Sequence, residues 1–291
     1  MVSTFSSAGR AFRSPGACSS GRPSEGLRRR LVLVGRAAAG TDTFDLAAAR
    51  RLGVSVRTAP GANAGAVAEL TVSLMLDALR ETARRDRDLR AGAWGTAVEG
   101  LPAGSLGGAR VGLVGSGAIA RRTAELVRAF GAEVWVLGSP RFTPARAAGW
   151  PGRRVDTLPE LLTGCDVVSV HVPATPETEG LIGAAELRLM RPGSVLINTA
   201  RASVVREEAL DRALRDPCGG PARAAVDVFE NEGAGFSSPL ADNPYCTLSP
   251  HVAGMTHSAM RAASDRLLEE FERFLVAGDG LAGSDPSVGG R

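Results

Sequence analysis

The 291-residue sequence predicts an α/β fold with a doubly wound parallel sheet, and three observations support this. Short apolar runs rich in Val and Leu alternate with segments of helical spacing, which is typical of a parallel sheet covered on both faces. The apolar run 111–114 leads directly into a glycine-rich turn and then a helical segment, 121–130. A further apolar run, 133–137, follows. The order strand, glycine turn, helix, strand predicts a Rossmann βαβ unit.

The glycine turn, GSGAIA at 115–120, matches the pattern that binds a dinucleotide pyrophosphate. Gly115 permits the tight turn off the strand, and Gly117 lets a phosphate approach the backbone because it has no side chain. The N–H groups at the start of the helix, near Ala118 and Ile119, would bind the phosphate charge. The alternative interpretation is a tight turn in some other α/β fold.

The other predicted elements continue the alternation on both sides of this unit. Further strands are predicted at 31–34, 54–56, 166–172, 194–198, 224–229 and 246–249. Helices are predicted at 45–52, 67–90, 141–148, 157–162, 186–190, 207–214 and 258–274, of which 67–90 is the longest.

Composition and charge exclude several classes of function. Residues 1–30 carry a net charge of +5 and the rest of the chain carries −2, so no basic body is available for nucleic acid. The chain contains no lysine, which excludes Schiff-base chemistry and a Walker-type phosphate site. Its four cysteines have no metal-ligand spacing and indicate reduced thiols, so we expect a cytoplasmic protein without a metal site. No apolar run reaches the length of a membrane span.

Four polar residues lie at or near the predicted ends of successive strands: Arg201, Asp227, Glu232 and His251. Because ligands of such sheets bind outside the carboxyl ends of the strands, these side chains can converge on one crevice. They come from three separate segments, so a single surface helix with ion pairs does not explain them. Glu230 is the alternative to Glu232, since it lies only two residues away.

Three segments resemble the motifs of the D-isomer-specific 2-hydroxyacid dehydrogenases: NTAR at 198–201, DVFENE at 227–232 and SPHVAG at 249–254. The resemblance extends over about 31–274. It implies a nicotinamide-dependent enzyme that moves a hydride between NAD(P)H and a small 2-keto or 2-hydroxy acid. It also implies no nucleic acid, no membrane and a homodimer, in which the long helix 67–90 forms part of the contact.

The resemblance implies a role for each candidate residue. Arg201 would bind the carboxylate and keto oxygen of the substrate, because a guanidinium fork fits two acceptors. His251 would be the general acid or base, and Glu232 would hold its imidazole. Asp227 would bind the nicotinamide carboxamide. Pro173, Thr199 and Gly254 would also contact the cofactor, and the loop carrying Arg36, Ala38 and Ala39 would bind the substrate carboxylate.

The sequence departs from the family at the end of the strand 133–137. An acidic residue that binds the ribose 2′-hydroxyl is usual there, whereas this chain has Gly138. Without that carboxylate a 2′-phosphate is not repelled, and Ser139 and Arg141 are placed to attract one. The cofactor is therefore expected to be NAD or NADP.

The substrate domain is expected to be truncated, a remnant of a flavodoxin-like domain. We expect a disordered basic tail at 1–30, a truncated substrate-domain segment at 31–66, a dinucleotide-binding domain at 67–275 and a loose tail at 276–291. One alternative function is a catalytically impaired dinucleotide-binding protein that acts through interactions. Oxidation of phosphite, or of formate, on the same scaffold is a further alternative.

Overall fold

The computed structural model describes residues 31–41, 44–94, 104–139, 142–216 and 219–276. The predicted tail 1–30, Arg141 and all but the first residue of the predicted tail 276–291 lie outside the described residues. The described strands are β1 (Leu33–Arg36), β2 (Ser55–Thr58), β3 (Arg110–Val114), β4 (Glu133–Leu137), β5 (Arg153–Val155), β6 (Val167–Val170), β7 (Val195–Asn198), β8 (Arg223–Val226) and β9 (Cys246–Leu248).

The helices lie between these strands, largely as the sequence predicts. A short 3-10 turn, Ala202–Val204, follows β7. The described helices are α1 (Leu46–Leu52), α2 (Ala64–Arg80), α3 (Thr82–Arg90), α4 (Ala118–Ala129), α5 (Pro144–Ala147), α6 (Leu158–Gly164), α7 (Ala184–Leu189), α8 (Glu207–Arg215) and α9 (His257–Val276).

Seven strands form one parallel sheet in the order β5-β4-β3-β6-β7-β8-β9. This is the doubly wound Rossmann order with one additional strand, so the predicted fold class is confirmed. The strand order reverses between β3 and β6, which pair from Val111 with Val167 to Val114 with Val170. Because every strand is parallel, all seven carboxyl ends meet at one edge, where the crevice at the reversal point is the expected ligand site.

Helices cover both faces of this sheet. On one face the apolar side chains of α6, α7 and α8, among them Leu161, Leu187 and Leu210, are buried against the strands. On the other face α2 and α4 bury Met75 and Ala124. The central strands β6 and β7 are therefore buried at every position, which explains their continuous apolar sequences.

The structure corrects three local predictions. The predicted helix 67–90 is two helices, because Glu81 between α2 and α3 takes a left-handed conformation with φ 53°. The strand β5 was not predicted, since its sequence Arg-Arg-Val has a single buried residue and it lies at the edge of the sheet. The first strand also lies two residues later than predicted, at Leu33–Arg36.

The described residues divide into two compact units, Asn63–Met260 and a smaller one formed by residues 31–62 and 261–276. These limits differ from the predicted domains 31–66 and 67–275, because α9 groups with the smaller unit from Arg261 onward. In that unit β1 and β2 form a parallel pair joined by α1. Gly35 of β1 packs closely on Phe271, where a Cβ would come within 2.4 Å of the ring.

Candidate active site

The glycine turn after β3 has the geometry that dinucleotide binding requires. Gly115 has φ +120°, and a Cβ there would lie 2.5 Å from the carbonyl oxygen of His171. Its N–H donates to the carbonyl of Leu137 at 2.7 Å, which joins β3 to β4 at their carboxyl ends. Gly117 precedes the first residue of α4 and faces open space. A phosphate can therefore approach the backbone of Gly117 and the N-terminus of α4.

An open pocket lies beside this turn, at the end of β4. Ser139 and Arg121 line it, together with the aromatic pair Phe142 and Trp150, whose ring centroids are 5.9 Å apart. A Cβ at Gly138 would lie 2.2 Å from the Cβ of Phe142. The side chain of Phe142 therefore leaves no room for a side chain at the position where a 2′-hydroxyl-binding acid would stand.

His251 and Glu232 are in direct contact. The imidazole Nδ1 lies 2.9 Å and 2.8 Å from the two carboxylate oxygens of Glu232. The side chains are 47% and 39% exposed, so a substrate has access to the pair. Glu232 also accepts a hydrogen bond from the N–H of Phe229 at 3.0 Å. Glu230, the sequence alternative, donates only its backbone N–H, to Glu207 at 2.7 Å.

Asp227 fixes the backbone that carries His251. Its carboxylate is buried and accepts the N–H groups of Val252 at 3.0 Å and Ala253 at 2.9 Å. His251 itself has φ 53°, a left-handed conformation that costs a non-glycine residue roughly 1–2 kcal/mol. The two hydrogen bonds from Val252 and Ala253 to Asp227 offset that cost, because the turn at His251 brings their N–H groups to the carboxylate. Asp227 therefore holds the backbone just after His251, an arrangement that the sequence did not indicate.

Arg201 follows the end of β7 on a braced loop. Asn198 bridges the loop, since its amide donates to the carbonyl of Arg201 at 3.0 Å and its Oδ1 accepts the N–H of Ala200 at 3.1 Å. The Thr199 hydroxyl lies 2.8 Å from the hydroxyl of Thr71 on α2. These contacts fix the backbone after β7, at the strand end next to the one that carries Asp227. The N–H of Asp227 donates to the carbonyl of Asn198 at 2.9 Å.

Pro173 and Gly254 lie in the loops after β6 and β9. The Pro173 carbonyl accepts the Thr178 hydroxyl at 2.6 Å, which closes its loop into a turn. A Cβ at Gly254 would lie 2.7 Å from the amide nitrogen of Asn63, so the two segments approach closely. Burial lowers the pKa of His171 to about 3, so this second histidine of the region stays neutral and is no proton donor at neutral pH.

The predicted substrate loop lies in the smaller unit. Arg36 ends β1, and its guanidinium donates to the carbonyl of Gly40 at 3.4 Å. The carbonyl of Ala38 accepts the N–H of Ala59 at 3.0 Å, so the loop with Ala39 is tied to the end of β2. The substrate role of this loop stays a prediction.

Arg201, Asp227 and His251 thus follow β7, β8 and β9, three adjacent strands of one parallel sheet. The structure brings Glu232 into the same site and places Gly115, Gly117, Ala118 and Ile119 at the same edge. Within the described residues no group of His, Cys, Asp and Glu side chains is arranged to hold a metal ion. No helix of the described ranges is long and apolar enough to cross a membrane.

Comparison with known proteins agrees with this geometry. Residues 72–253 match the family model for the NAD binding domain of the D-isomer specific 2-hydroxyacid dehydrogenases. The chain is 34% identical over 253 residues to D-3-phosphoglycerate dehydrogenase of Methanocaldococcus jannaschii, covering 84% of this chain and 46% of that protein. It is 37% identical over 246 residues to glyoxylate reductase of Aeropyrum pernix, covering 81% and 72%.

A solved structure, that of glyoxylate reductase from Paecilomyes thermophila, superposes with a TM-score of 0.76 at 30% identity, over 86% of this chain and 74% of that one. The chain belongs to the D-isomer specific 2-hydroxyacid dehydrogenase family, and its larger unit is a nicotinamide dinucleotide-binding domain. It spans only about half the length of several curated relatives, including the phosphoglycerate dehydrogenase.

Proposed function

We propose that this chain transfers a hydride between a nicotinamide dinucleotide and a small 2-keto or 2-hydroxy acid. The observation that carries the proposal is the contact between His251 and Glu232 at the sheet edge that holds the glycine turn. The two side chains are 47% and 39% exposed, so a small molecule can reach the imidazole from solvent.

The residues divide the chemistry between them. Arg201 binds the substrate carboxylate and the keto oxygen, which orients the carbonyl carbon and polarises the C=O bond. The bound dinucleotide supplies the hydride that the carbonyl carbon accepts. The C=O electron pair moves to oxygen, and that oxygen takes a proton from Nε2 of His251. Glu232 holds Nδ1 and stabilises the imidazolium before the transfer, and the reverse reaction uses the same atoms.

Gly115, Gly117, Ala118 and Ile119 would hold the pyrophosphate at the start of α4. Asp227 would accept a hydrogen bond from the nicotinamide carboxamide, because each carboxylate oxygen keeps a lone pair beyond its backbone bond. Pro173, Thr199 and Gly254 would line the nicotinamide side. Arg36, Ala38 and Ala39, in the smaller unit, are also proposed as substrate-binding residues.

The adenosine end of the site favours NADP over NAD. Gly138 offers no carboxylate to a ribose, and Phe142 fills the space of a side chain there. Ser139 and the guanidinium of Arg121 line the adjoining pocket, and both can donate to a 2′-phosphate. Arg141, the cation that the sequence predicts here, lies outside the described residues.

A homodimer is proposed through α3 and residues 91–94. None of the described residues of α3 is buried, and Leu89 and Trp94 expose 49% and 72% of their surface. Sedimentation of the wild type and of Trp94→Ser would test this. The wild type should sediment as a dimer and the variant should shift toward the monomer. A wild type that sediments as a monomer would contradict the proposal. The cytoplasmic location stays a prediction.

Oxidation of NADPH and of NADH at 340 nm, with glyoxylate, pyruvate and other 2-keto acids, tests the reaction. We expect turnover with at least one acid and a higher kcat/KM for NADPH. Arg201→Gln and His251→Asn should each abolish it without loss of dinucleotide binding. Tight dinucleotide binding without turnover of any acid would instead favour the non-catalytic alternative.

A further inference from the structure

Glu207 is a buried carboxylate that the proposed mechanism does not use. It is the first residue of α8 and only 4% exposed. Burying a carboxylate is costly unless hydrogen bonds replace its hydration. Glu208, the next residue and also acidic, is exposed. A negative charge at the start of α8 is therefore available from the surface, and compensation of the helix dipole does not explain why Glu207 is buried.

Both oxygens of Glu207 hold the same loop, residues 230–238. Its Oε1 accepts the N–H of Glu230 at 2.7 Å, at the start of the loop. Its Oε2 accepts the hydroxyl of Ser238 at 2.5 Å, at the end of the loop. The hydroxyl of Ser238 in turn accepts the N–H of Leu240 at 3.1 Å, so it links the carboxylate to the chain beyond the loop.

Glu232 lies inside the loop that Glu207 closes. The two sides of the loop meet at Asn231, just before Glu232, and Ser237. These two residues form an antiparallel bridge and a side-chain hydrogen bond of 3.2 Å. Gly233, with φ 91°, then turns the chain. The Glu232 carboxylate is thus held relative to α8, and its distance to Nδ1 of His251 depends on that attachment.

We propose that Glu207 is a positioning residue that sets the Glu232–His251 contact by closing the loop 230–238. Each member of the pair then has its own buried acid: Asp227 holds the backbone after His251, and Glu207 holds the backbone around Glu232. The inference rests on the proposed function for its catalytic consequence. Its structural consequence at Nδ1 is independent of turnover.

The test compares three variants in the full chain. Glu207→Ala removes both acceptors, Glu207→Gln keeps one acceptor for the N–H of Glu230 and a polar group facing Ser238, and Glu208→Ala is the matched control. We expect Glu207→Ala to lower kcat at least about tenfold with KM for the 2-keto acid and Kd for NADPH unchanged. Glu207→Gln should recover most of that loss, and Glu208→Ala should match the wild type.

A second measurement does not need activity. In ¹⁵N-histidine NMR spectra, assigned with His251→Asn, the Nδ1 resonance of His251 reports the Glu232 contact directly. It should shift in Glu207→Ala toward its position in Glu232→Gln and stay in place in Glu208→Ala. If the wild type reduces no 2-keto acid, the proposed function fails, yet this shift would still support the positioning role.

An unchanged Nδ1 resonance in folded Glu207→Ala would overturn the inference, and so would an unchanged kcat in an active enzyme. A loss of thermal stability alone, with both readouts retained, would show that Glu207 is only structural. Should Glu207→Ala not fold, Ser238→Ala replaces it, since it removes one attachment and should shift the same resonance in the same direction. No shift in that variant overturns the proposal.

Discussion

At the scale of single residues, two glycines of one turn have opposite surroundings. Gly115 has φ +120° and no room for a Cβ, whereas Gly117 faces open space. Gly115→Ala should destabilise the fold by about 1–3 kcal/mol, because strain at such a backbone position is of that size. Gly117→Ala should unfold like the wild type but bind NADPH weakly, since its methyl group meets the phosphate. Urea unfolding and dinucleotide titration separate the two, and equal stability of both variants would contradict this account.

Two matched substitutions, at Glu232 and at Glu230, test which carboxylate holds His251. Glu232→Gln should lower kcat/KM about a hundredfold, because the neutral amide no longer stabilises the imidazolium during proton transfer. Glu230→Gln should leave it nearly unchanged, since Glu230 contacts the site through its backbone N–H, which donates to Glu207. Steady-state kinetics of both variants decide the choice, and an equal loss in both would point to general loop damage.

Cofactor preference depends on Phe142 as well as on Gly138. Gly138→Asp alone should fail to favour NADH, because its Cβ would meet the Cβ of Phe142 at 2.2 Å. Combining it with Phe142→Gly should free that space and raise the NADH to NADPH ratio of kcat/KM by at least about tenfold, the size of one lost charge-assisted contact. Phe142→Gly alone is the control. A strong NADH preference of Gly138→Asp by itself would show that Phe142 does not obstruct the position.

At the scale of elements, the junction of α2, α3 and β9 depends on one carboxylate. Asp77 accepts the hydroxyls of Thr247 at 2.6 Å and Thr82 at 2.5 Å, and the N–H of Ala83 at 2.7 Å. Burial opposes its ionisation, but these hydrogen bonds outweigh burial and hold the pKa of Asp77 below its usual value. The folded state therefore binds fewer protons than the unfolded state in mild acid.

It follows that the contribution of Asp77 is complete above its ordinary pKa and is lost as the pH falls through its lower pKa in the folded state. Urea unfolding between about pH 7 and pH 3 should show a smaller loss of stability in Asp77→Asn than in the wild type. Asp86→Asn, at an exposed ion pair of α3, is the control and should follow the wild type. Parallel curves for all three proteins would contradict the role of Asp77.

The elements also show what the sequence can and cannot predict. Apolar runs and the glycine turn predict most of the strands, because burial on both faces selects such sequences. The break at Glu81 leaves no local signal, since neither glycine nor proline marks it. Side-chain contacts fix it instead: burial raises the pKa of Glu81, but hydrogen bonds from the neighbouring Arg84 and from the distant Arg223 hold it low.

The same limit applies within the site. Arg201, Glu232 and His251 lie in motifs whose residue types indicate their proposed chemistry. Their place at one edge of the sheet follows because the strands are parallel. Glu207 and Asp227 act on backbone N–H groups 23 and 25 residues away, so only the folded loops reveal what they hold. The residues proposed to carry the chemistry are therefore easier to predict from this sequence than the residues that position them.

At the scale of the whole molecule, ligand binding should stabilise the chain by mass action. NADPH at about a hundred times its Kd contributes about 2.7 kcal/mol, which for a chain of this size corresponds to a rise in Tm of about 5–10 °C. NADH at the same concentration should give a smaller rise, because a ribose without a 2′-phosphate gains no contact with Ser139 and Arg121. Gly117→Ala should lose both shifts while keeping the Tm of the free protein. Equal shifts with NADH and NADPH would contradict the proposed cofactor preference, and no shift with either would contradict dinucleotide binding itself, whatever the activity.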